Sequence, residues 1–332
     1  MIDEEVMAIV VLNWNNADLT IQFLENLRKI EDSTNFITIV VDNGSEASEK
    51  EKLLEGVESI GKFTVLGEND INTYRRSDDG TKNILLLLDN NYGYAKGNNF
   101  GLKLAFKLGC KYAVISNNDV ILEIPVVDQL LQCIEMSGNA AVIGPKILGI
   151  HNELQGPYEK LTLYHYFFYP VFFPLSWPVD KVRRMVMHND DFEAKGCGRI
   201  KYPYRVMGSF MLVDLEVMKE VGWLDENTFL YAEELILAEK LLKHGYRMAY
   251  TDSVYVRHMH GSSTGKLARR QSVSIALKSE LYYLRNYRGY GKVKLFLAKV
   301  GFLYKNLVLI PIKVRLENWA RAHWRVRGEQ II

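Results

Sequence analysis

An α/β fold with a mainly parallel central sheet flanked by helices is what the sequence predicts, and three observations predict it. Runs rich in Val and Ile lack polar alternation, as strands covered on both faces do. These runs alternate with segments of helical period, the pattern of a parallel sheet with right-handed crossovers. Each run ends in a polar cluster, and open α/β sheets bind ligands beyond the carboxyl ends of their strands. In order, the spacing predicts strand 8–12, helix 19–30, strand 38–41, helix 49–60, strand 84–88, helix 98–108 and strand 112–115. The clusters are Asn13-Trp14-Asn15-Asn16, Asp42-Asn43-Gly44-Ser45, the stretch from Asp89 to Gly93, and Asn117-Asn118-Asp119.

The 332 residues are 48% apolar and 24% charged, which excludes disordered and fibrous classes. Lys and Arg total 41 against 40 Asp and Glu, so the net charge of +1 gives no reason to expect a polyanion partner. The balance is uneven along the chain. Residues 276–332 hold 12 Lys and Arg against 3 Asp and Glu, a net +9, and the rest carries −8. Three dispersed cysteines, Cys110, Cys133 and Cys197, argue against a disulfide framework or a structural zinc, fit a reducing compartment, and read as buried small hydrophobes. The acidic N-terminus lacks the basic start of a secretory signal, so a cytoplasmic start is expected. Residues 295–314 are broken by Lys299, Lys305 and Lys313, so the chain is expected to lie on a membrane rather than cross one.

No GxGxxG follows the first strand and no Walker loop occurs, so dinucleotide and P-loop chemistry are not indicated. An indole beside amides at Asn13-Trp14-Asn15 can hold a nucleobase, and the Asp42 carboxylate can accept its ring N–H. The same residues at 42–45 also make an ordinary helix-capping turn. Asp119 with Asn117 and Asn118 supplies hard oxygen ligands of the kind Mg²⁺ or Mn²⁺ takes together with substrate phosphates, and again turn chemistry is an alternative.

Several motifs occur in one order: Val10-Val11-Leu12-Asn13-Trp14-Asn15, Val40-Val41-Asp42-Asn43-Gly44-Ser45, Asn91-Tyr92-Gly93-Tyr94-Ala95-Lys96-Gly97-Asn98-Asn99-Phe100-Gly101, and Asn117-Asn118-Asp119. Further along stand Gly208-Ser209-Phe210-Met211-Leu212-Val213, Gly222-Trp223-Leu224-Asp225-Glu226, Phe229-Leu230-Tyr231-Ala232-Glu233-Glu234 and His244-Gly245-Tyr246. Together they resemble family 2 GT-A glycosyltransferases, and within them the bacterial rhamnosyltransferase-like branch, over roughly residues 7–265. The resemblance implies a GT-A fold with a C-terminal helical extension. It implies a nucleotide-sugar-binding half at about 7–120, an acceptor half at about 121–265, and a basic amphipathic tail at 266–332.

Position by position, the resemblance puts Asp42 at the base of the nucleotide and Asn13, Trp14 and Asn15 around its pocket. Gly97, Asn98 and Asn99 lie close to the donor, with Asn117 and Asn118 beside them. Asp119 matches the last Asp of the family's metal motif. Glu234 stands where the family has its general base, next to Glu233, while Ile236 replaces an acidic residue common two positions later. A glutamate pair at a helix start also reads as an acidic first turn over a helix at 233–244. His258 and His260 lie where strand-like alternation turns into a Gly/Ser loop, and family members often carry a His here, as metal ligand or phosphate donor. Packing is the other reading of that pair.

Glycosyl transfer needs such a set. A divalent ion stabilises the leaving diphosphate. One carboxylate takes the acceptor's hydroxyl proton, typically worth ~10² to 10⁴-fold, and direct displacement inverts the anomeric centre. A glycosidase would need two facing carboxylates.

Two segments remain. An aromatic stretch, residues 164–174 within an insert at 150–204, shows no helical or strand period and contains prolines, as an acceptor-binding or bilayer-dipping loop or a packed insert would. In the tail, aromatics alternate with Lys and Arg, a membrane-surface pattern, and no nucleic-acid recognition motif accompanies them. The expected function is an inverting, Mg²⁺- or Mn²⁺-dependent glycosyltransferase. Its donor is dTDP-linked rhamnose first and a UDP-hexose second, and its acceptor is a glycan or lipid-linked glycan in bacterial surface polysaccharide synthesis. Its place is cytoplasmic, peripheral on the inner face of the cell membrane. The alternative is a non-catalytic homologue that binds glycan or lipid.

Overall fold

The computed structural model describes residues 7–31, 35–75, 81–176, 192–194, 196–259 and 269–316. They fall into two compact units, Met1–Glu159 with Asn189–Ile275, and Lys160–His188 with Ala276–Ile332.

The first unit is built on an eleven-stranded sheet. Its first half runs β1 (Met7–Asn13), α1 (Ala17–Ile30), β2 (Phe36–Asp42), α2 (Ala47–Ile60), β3 (Phe63–Gly67), β4 (Asn83–Leu87), α3 (Gly93–Lys107) and β5 (Tyr112–Asn117). Then come β6 (Val120–Ile121), α4 (Val127–Met136), β7 (Ala140–Leu148), β8 (Phe192–Ala194), β9 (Gly198–Lys201) and β10 (Phe210–Asp214). The unit's remaining elements include α5 (Leu215–Glu220), α6 (Glu233–Lys243) and β11 (Arg247–His258). Spatial order is β3-β4-β2-β1-β5-β10-β7-β11-β9-β8, with β6 against β11. Strands β3, β4, β2, β1 and β5 pair in parallel, and β10 is antiparallel to both β5 and β7.

Alternate residues of β1 serve opposite faces. Ile9 and Val11 join Phe23, Leu24 and Leu27 of α1, while Ala8 and Val10 join Leu102 and Ala105 of α3. All are buried, each contributing roughly 1.5–3 kcal/mol where the side chain is large. This two-sided burial is why the runs lack polar alternation. The chain passes from β1 to β2 on one side and returns to β5 on the other, so the sheet's topological switch point lies beside β1, at the carboxyl ends carrying Asn13, Asp42 and Asn117. A buried carboxylate helps anchor α4: Glu31 Oε1 accepts the N–H groups of Val126 (2.6 Å) and Val127 (3.1 Å) at that helix's start.

Two departures belong to this unit. Strand β3 joins at the sheet edge although no strand was expected between 60 and 84; it is short and only Leu66 is buried, which leaves little periodic signal. Cys133 of α4 and Cys197, between β8 and β9, form a disulfide with Cα atoms 5.5 Å apart, which corrects the reading of three unpaired cysteines. Their separation of 64 residues hid the pairing, and folding brings the β8–β9 hairpin onto α4. Cys110 is buried outside it. Closing a loop of this length stabilises by about 2–4 kcal/mol. Cys133→Ser is expected to lower stability by that amount without reductant and to match the wild type with reductant, as denaturant unfolding reads.

In the second unit, 163–171 is helical, with a π-helical stretch at Tyr164–Phe168, which corrects the expectation of no period. Aromatic packing drives it: Phe168 and Phe172, one turn apart, stack at 6.2 Å, and Phe167 meets Phe168 edge-on at 5.1 Å. Residues 276–286 of helix α7 (Arg269–Asn286) lead into α8, which runs unbroken as Lys292–Leu316, 25 residues long and apolar enough to cross a membrane. The lysines at 299, 305 and 313 do not interrupt it, because Lys is a good helix former.

Candidate active site

A buried polar network closes the carboxyl ends of β1, β2 and β5. Asn13 Nδ2 donates to Asp42 Oδ1 (2.8 Å), and Asn13 Oδ1 accepts from Thr20 Oγ1 (2.9 Å) and Asn118 Nδ2 (3.4 Å). Asp42 is fully buried and also receives the hydroxyl and the N–H of Ser45. Its oxygens are thus held by Asn13 and Ser45 rather than turned outward. Asn15, at φ +49°, is fixed by its N–H on Ser45 Oγ (2.8 Å) and by Glu46 N–H on its Oδ1 (2.7 Å). Trp14 and Asn117 remain partly exposed at this edge.

The first turns of α3 pack tightly against neighbouring loops. Gly93 sits at φ +82°, and a Cβ there would meet the Phe229 carbonyl at 2.2 Å. Gly93→Ala is therefore expected to destabilise by about 2 kcal/mol or more, read by thermal unfolding. Gly97 leaves room for Leu12 and Asn43, which a Cβ would meet at 2.7 and 3.1 Å. Asn99 spends both ends of its amide on the backbone of Leu224, at 2.9 and 3.0 Å, and also reaches Glu226. Gly97 and Asn99 thus frame the site. Asn98 differs: its Nδ2 bonds the Tyr94 carbonyl (3.0 Å), while its buried Oδ1 has no hydrogen-bond partner.

Asp119 and His258, 139 positions apart, meet. Antiparallel pairing of β6 with β11 sets His258 opposite Val120 and brings its Nε2 to 3.2 Å from Asp119 Oδ1. Both side chains are buried. His258 Nδ1 lies 2.7 Å from Gln155 Oε1, so Gln155 fixes the ring while its Nε2 faces the Asp119 carboxylate. Such a pair can ligate a divalent cation. Neighbouring ligands of a divalent ion bonded at about 2.0–2.2 Å stand roughly 3 Å apart, so spacing and donor chemistry both fit Mn²⁺ or Mg²⁺. Among the described residues no third His, Cys, Asp or Glu joins them, so a bound ion would take its other ligands from water and phosphate oxygens. His260 lies outside the described residues.

Glu233 and Glu234 open α6 directly after Tyr231 and Ala232, both left-handed at φ +72° and +69°. Two successive non-glycine residues in that region cost of order 1–3 kcal/mol each and persist where surrounding structure demands them. The turn buries Glu233, whose Oε1 has no hydrogen-bond partner. Burial, then the charge of Glu234, pushes the Glu233 carboxyl up to about 8. Glu234 is half-buried, and its Oε1 accepts the N–H of Gly208 (3.0 Å). A Cβ on Gly208 would meet that oxygen at 2.6 Å. Ile236, in place of the acidic residue, is in the core.

A carboxyl with a raised folded pKa holds its proton more tightly in the native state. Its contribution to stability is whole below about 4.5 and is lost as pH rises through about 8. Glu233→Gln is expected to remove this loss, leaving the variant more stable than the wild type by a few kcal/mol at pH 9 and little different at pH 5, as unfolding across that range measures.

Tyr94, Gly208, Ser209 and Gln155 carry weight that motif reading did not assign. Tyr94 donates to the Gly208 carbonyl (2.6 Å), linking α3 to the residue that holds Glu234. Burial raises its hydroxyl well above the usual range, reinforced by the charges of Glu234, Glu233 and Asp119. That buried hydroxyl therefore lies within electrostatic reach of carboxylates from two separate elements. Ser209 has a buried Oγ without a hydrogen-bond partner, and its carbonyl accepts the N–H of Asn117 (2.8 Å). Orphaned buried polar atoms are rare, and Asn98, Ser209 and Glu233 contribute three of them here. Only the aromatic half of Tyr94, beside glycine in a helix-start motif, hinted at its packing role.

Neither a known family profile nor any curated protein matches the sequence. Solved structures do match. GalNAc-T7, crystallised with UDP, GalNAc and Mn²⁺, aligns with 95% of this chain and 58% of its own, with a TM-score of 0.55 and 12% identity. The mannosyltransferase PcManGT from Pyrobaculum calidifontis, in complex with GDP-Man and Mn²⁺, aligns over 93% and 79% (TM-score 0.49, 12% identity). S. aureus TarS aligns over 87% and 41% (TM-score 0.46, 13% identity). The chain thus spans little more than half the length of GalNAc-T7. It has the GT-A fold expected from its motifs.

Proposed function

We propose that the chain is a divalent-metal-dependent glycosyltransferase that takes its sugar from a nucleoside-diphosphate donor. The observation that carries this reading is the buried Asp119–His258 pair at the carboxyl end of a GT-A sheet. A divalent ion bound there would stabilise the charge developing on the leaving diphosphate. The crystal structure of GalNAc-T7 with UDP, GalNAc and Mn²⁺, a protein of the same fold, is compatible with it.

The chain's own groups supply the rest. Gly208 N–H holds one oxygen of Glu234, which leaves the other to accept the acceptor's hydroxyl proton as that oxygen attacks. Glu233, buried and protonated at neutral pH, keeps the pair from carrying two adjacent charges. Direct displacement with one base inverts the anomeric centre. Trp14, Asn15 and Asn117 line the nucleotide edge over the Asn13–Asp42–Asn118 network, and Asn98 lies buried in the helix behind them.

Within this reading, the chain belongs to the family 2 rhamnosyltransferase-like branch, with dTDP-rhamnose preferred over UDP-hexoses. A lipid-linked glycan at the inner face of a bacterial membrane is its acceptor, in surface polysaccharide synthesis. The support is the ordered run of motifs and the basic tail. Incubating the full chain with Mn²⁺ and a set of nucleotide sugars is expected to release nucleotide fastest from dTDP-rhamnose, with NMR showing the inverted anomer in the product. Retention of configuration would reject the single-base mechanism, and turnover confined to a UDP-hexose would reject rhamnose.

A further inference from the structure

We propose that α8 and the aromatic segment at 163–176 form one docking surface that lies in the headgroup layer of an anionic bilayer. The proposal deepens the membrane part of the reading above and rests on it, while the transferase chemistry does not enter.

The unit that contains both segments exposes far more apolar surface than folding explains. Val293 is 74% exposed, Phe296 65%, Leu307 60% and Leu175 82%, and Phe168, Phe172 and Phe173 are exposed beside them in sequence. Only 11% of the most apolar stretch of α8 is buried. Exposure of so many large apolar side chains on two segments of one unit marks a contact surface.

The two segments are locked together at Gly301. A Cβ there would meet the Tyr166 carbonyl oxygen at 1.9 Å and Phe167 Cα at 2.8 Å, so α8 crosses the aromatic segment backbone against backbone. Arg288 adds a second tie, donating to the Leu161 carbonyl (3.0 Å) and to the Tyr283 hydroxyl (2.9 Å). What α8 docks to, Phe168 and Phe172 approach as well.

Charge selects the occupant. Residues 292–316 hold six basic side chains, Lys292, Lys294, Lys299, Lys305, Lys313 and Arg315, and no acidic one. A second copy laid along the helix would set Lys against Lys, without the acidic partners that flank paired helices. An anionic lipid surface complements the same array.

Charge also sets the orientation. A helix crossing the bilayer would carry Lys299 and Lys305 into hydrocarbon, where an amine is costly. A helix lying in the interface lets both reach the headgroups along their apolar stems while Phe296, Leu307 and Ile310 sink beneath them.

Flotation of the full chain with phosphatidylglycerol-containing vesicles tests the proposal. We expect binding that persists in molar salt and falls about tenfold in a Leu307→Glu/Ile310→Glu variant whose circular dichroism shows it folded. Phe296→Trp and Ile310→Trp are expected to be quenched most by lipids brominated near the headgroup, both to the same depth. Absent flotation, complete release by salt, strongest quenching of Ile310→Trp by deep bromines, or a salt-stable dimer in place of vesicle binding would each overturn it. Failure here with intact nucleotide turnover would leave the transferase reading standing.

Discussion

Asp119→Ala is expected to reduce sugar transfer by at least ~10² to 10³-fold while leaving the fold intact. The carboxylate is one of two buried groups that face each other across 3.2 Å, and its loss removes one of the two candidate ligands. A single imidazole does not hold a hard divalent ion against a diphosphate. Steady-state transfer with saturating Mn²⁺ reads the effect, and circular dichroism checks the fold. Activity within threefold of wild type would place the ion elsewhere.

Glu234→Gln should lower turnover by ~10² to 10⁴-fold with donor affinity little changed, because the amide keeps the shape and cannot take a proton. Glu233→Gln is the matched comparison. Its carboxyl is already protonated near neutral pH, so the amide copies the native state and turnover should stay within a fewfold. If Glu233→Gln is the damaging change and Glu234→Gln is mild, the base is the buried residue and the assignment shifts by one. Comparable, small losses in both would remove the base from this helix altogether.

The parallel half of the sheet was legible because Ala8, Ile9, Val10 and Val11 are buried on both faces, and such burial leaves an unbroken apolar run. Strand β3 was not, since an exposed edge asks little of its residues. Asp119 and His258 could each be suspected from their own neighbourhoods. Their meeting depends on a two-residue strand, β6, pairing with the end of β11, which no local pattern announces. The contrast between Glu233 and Glu234 was equally hidden. It comes from the left-handed turn at Tyr231 and Ala232 and from Gly208, 26 positions away, taking one carboxylate and not the other. Asp42 was visible as a strand-end acid, yet its complete burial beneath Asn13 and Ser45 is a tertiary result. The Cys133–Cys197 bridge is of the same kind, since three cysteines far apart in sequence carry no pairing signal.

Asp119 and His258 are proposed to hold a divalent ion against the diphosphate of a nucleotide. Calorimetric titration of dTDP and UDP into the full chain, with Mn²⁺ and with excess chelator, tests it most directly. At least one nucleotide is expected to bind about tenfold or more tighter with the ion, equivalent to ~1.4 kcal/mol or more. Equal affinity in metal and in chelator, for both nucleotides, would contradict it.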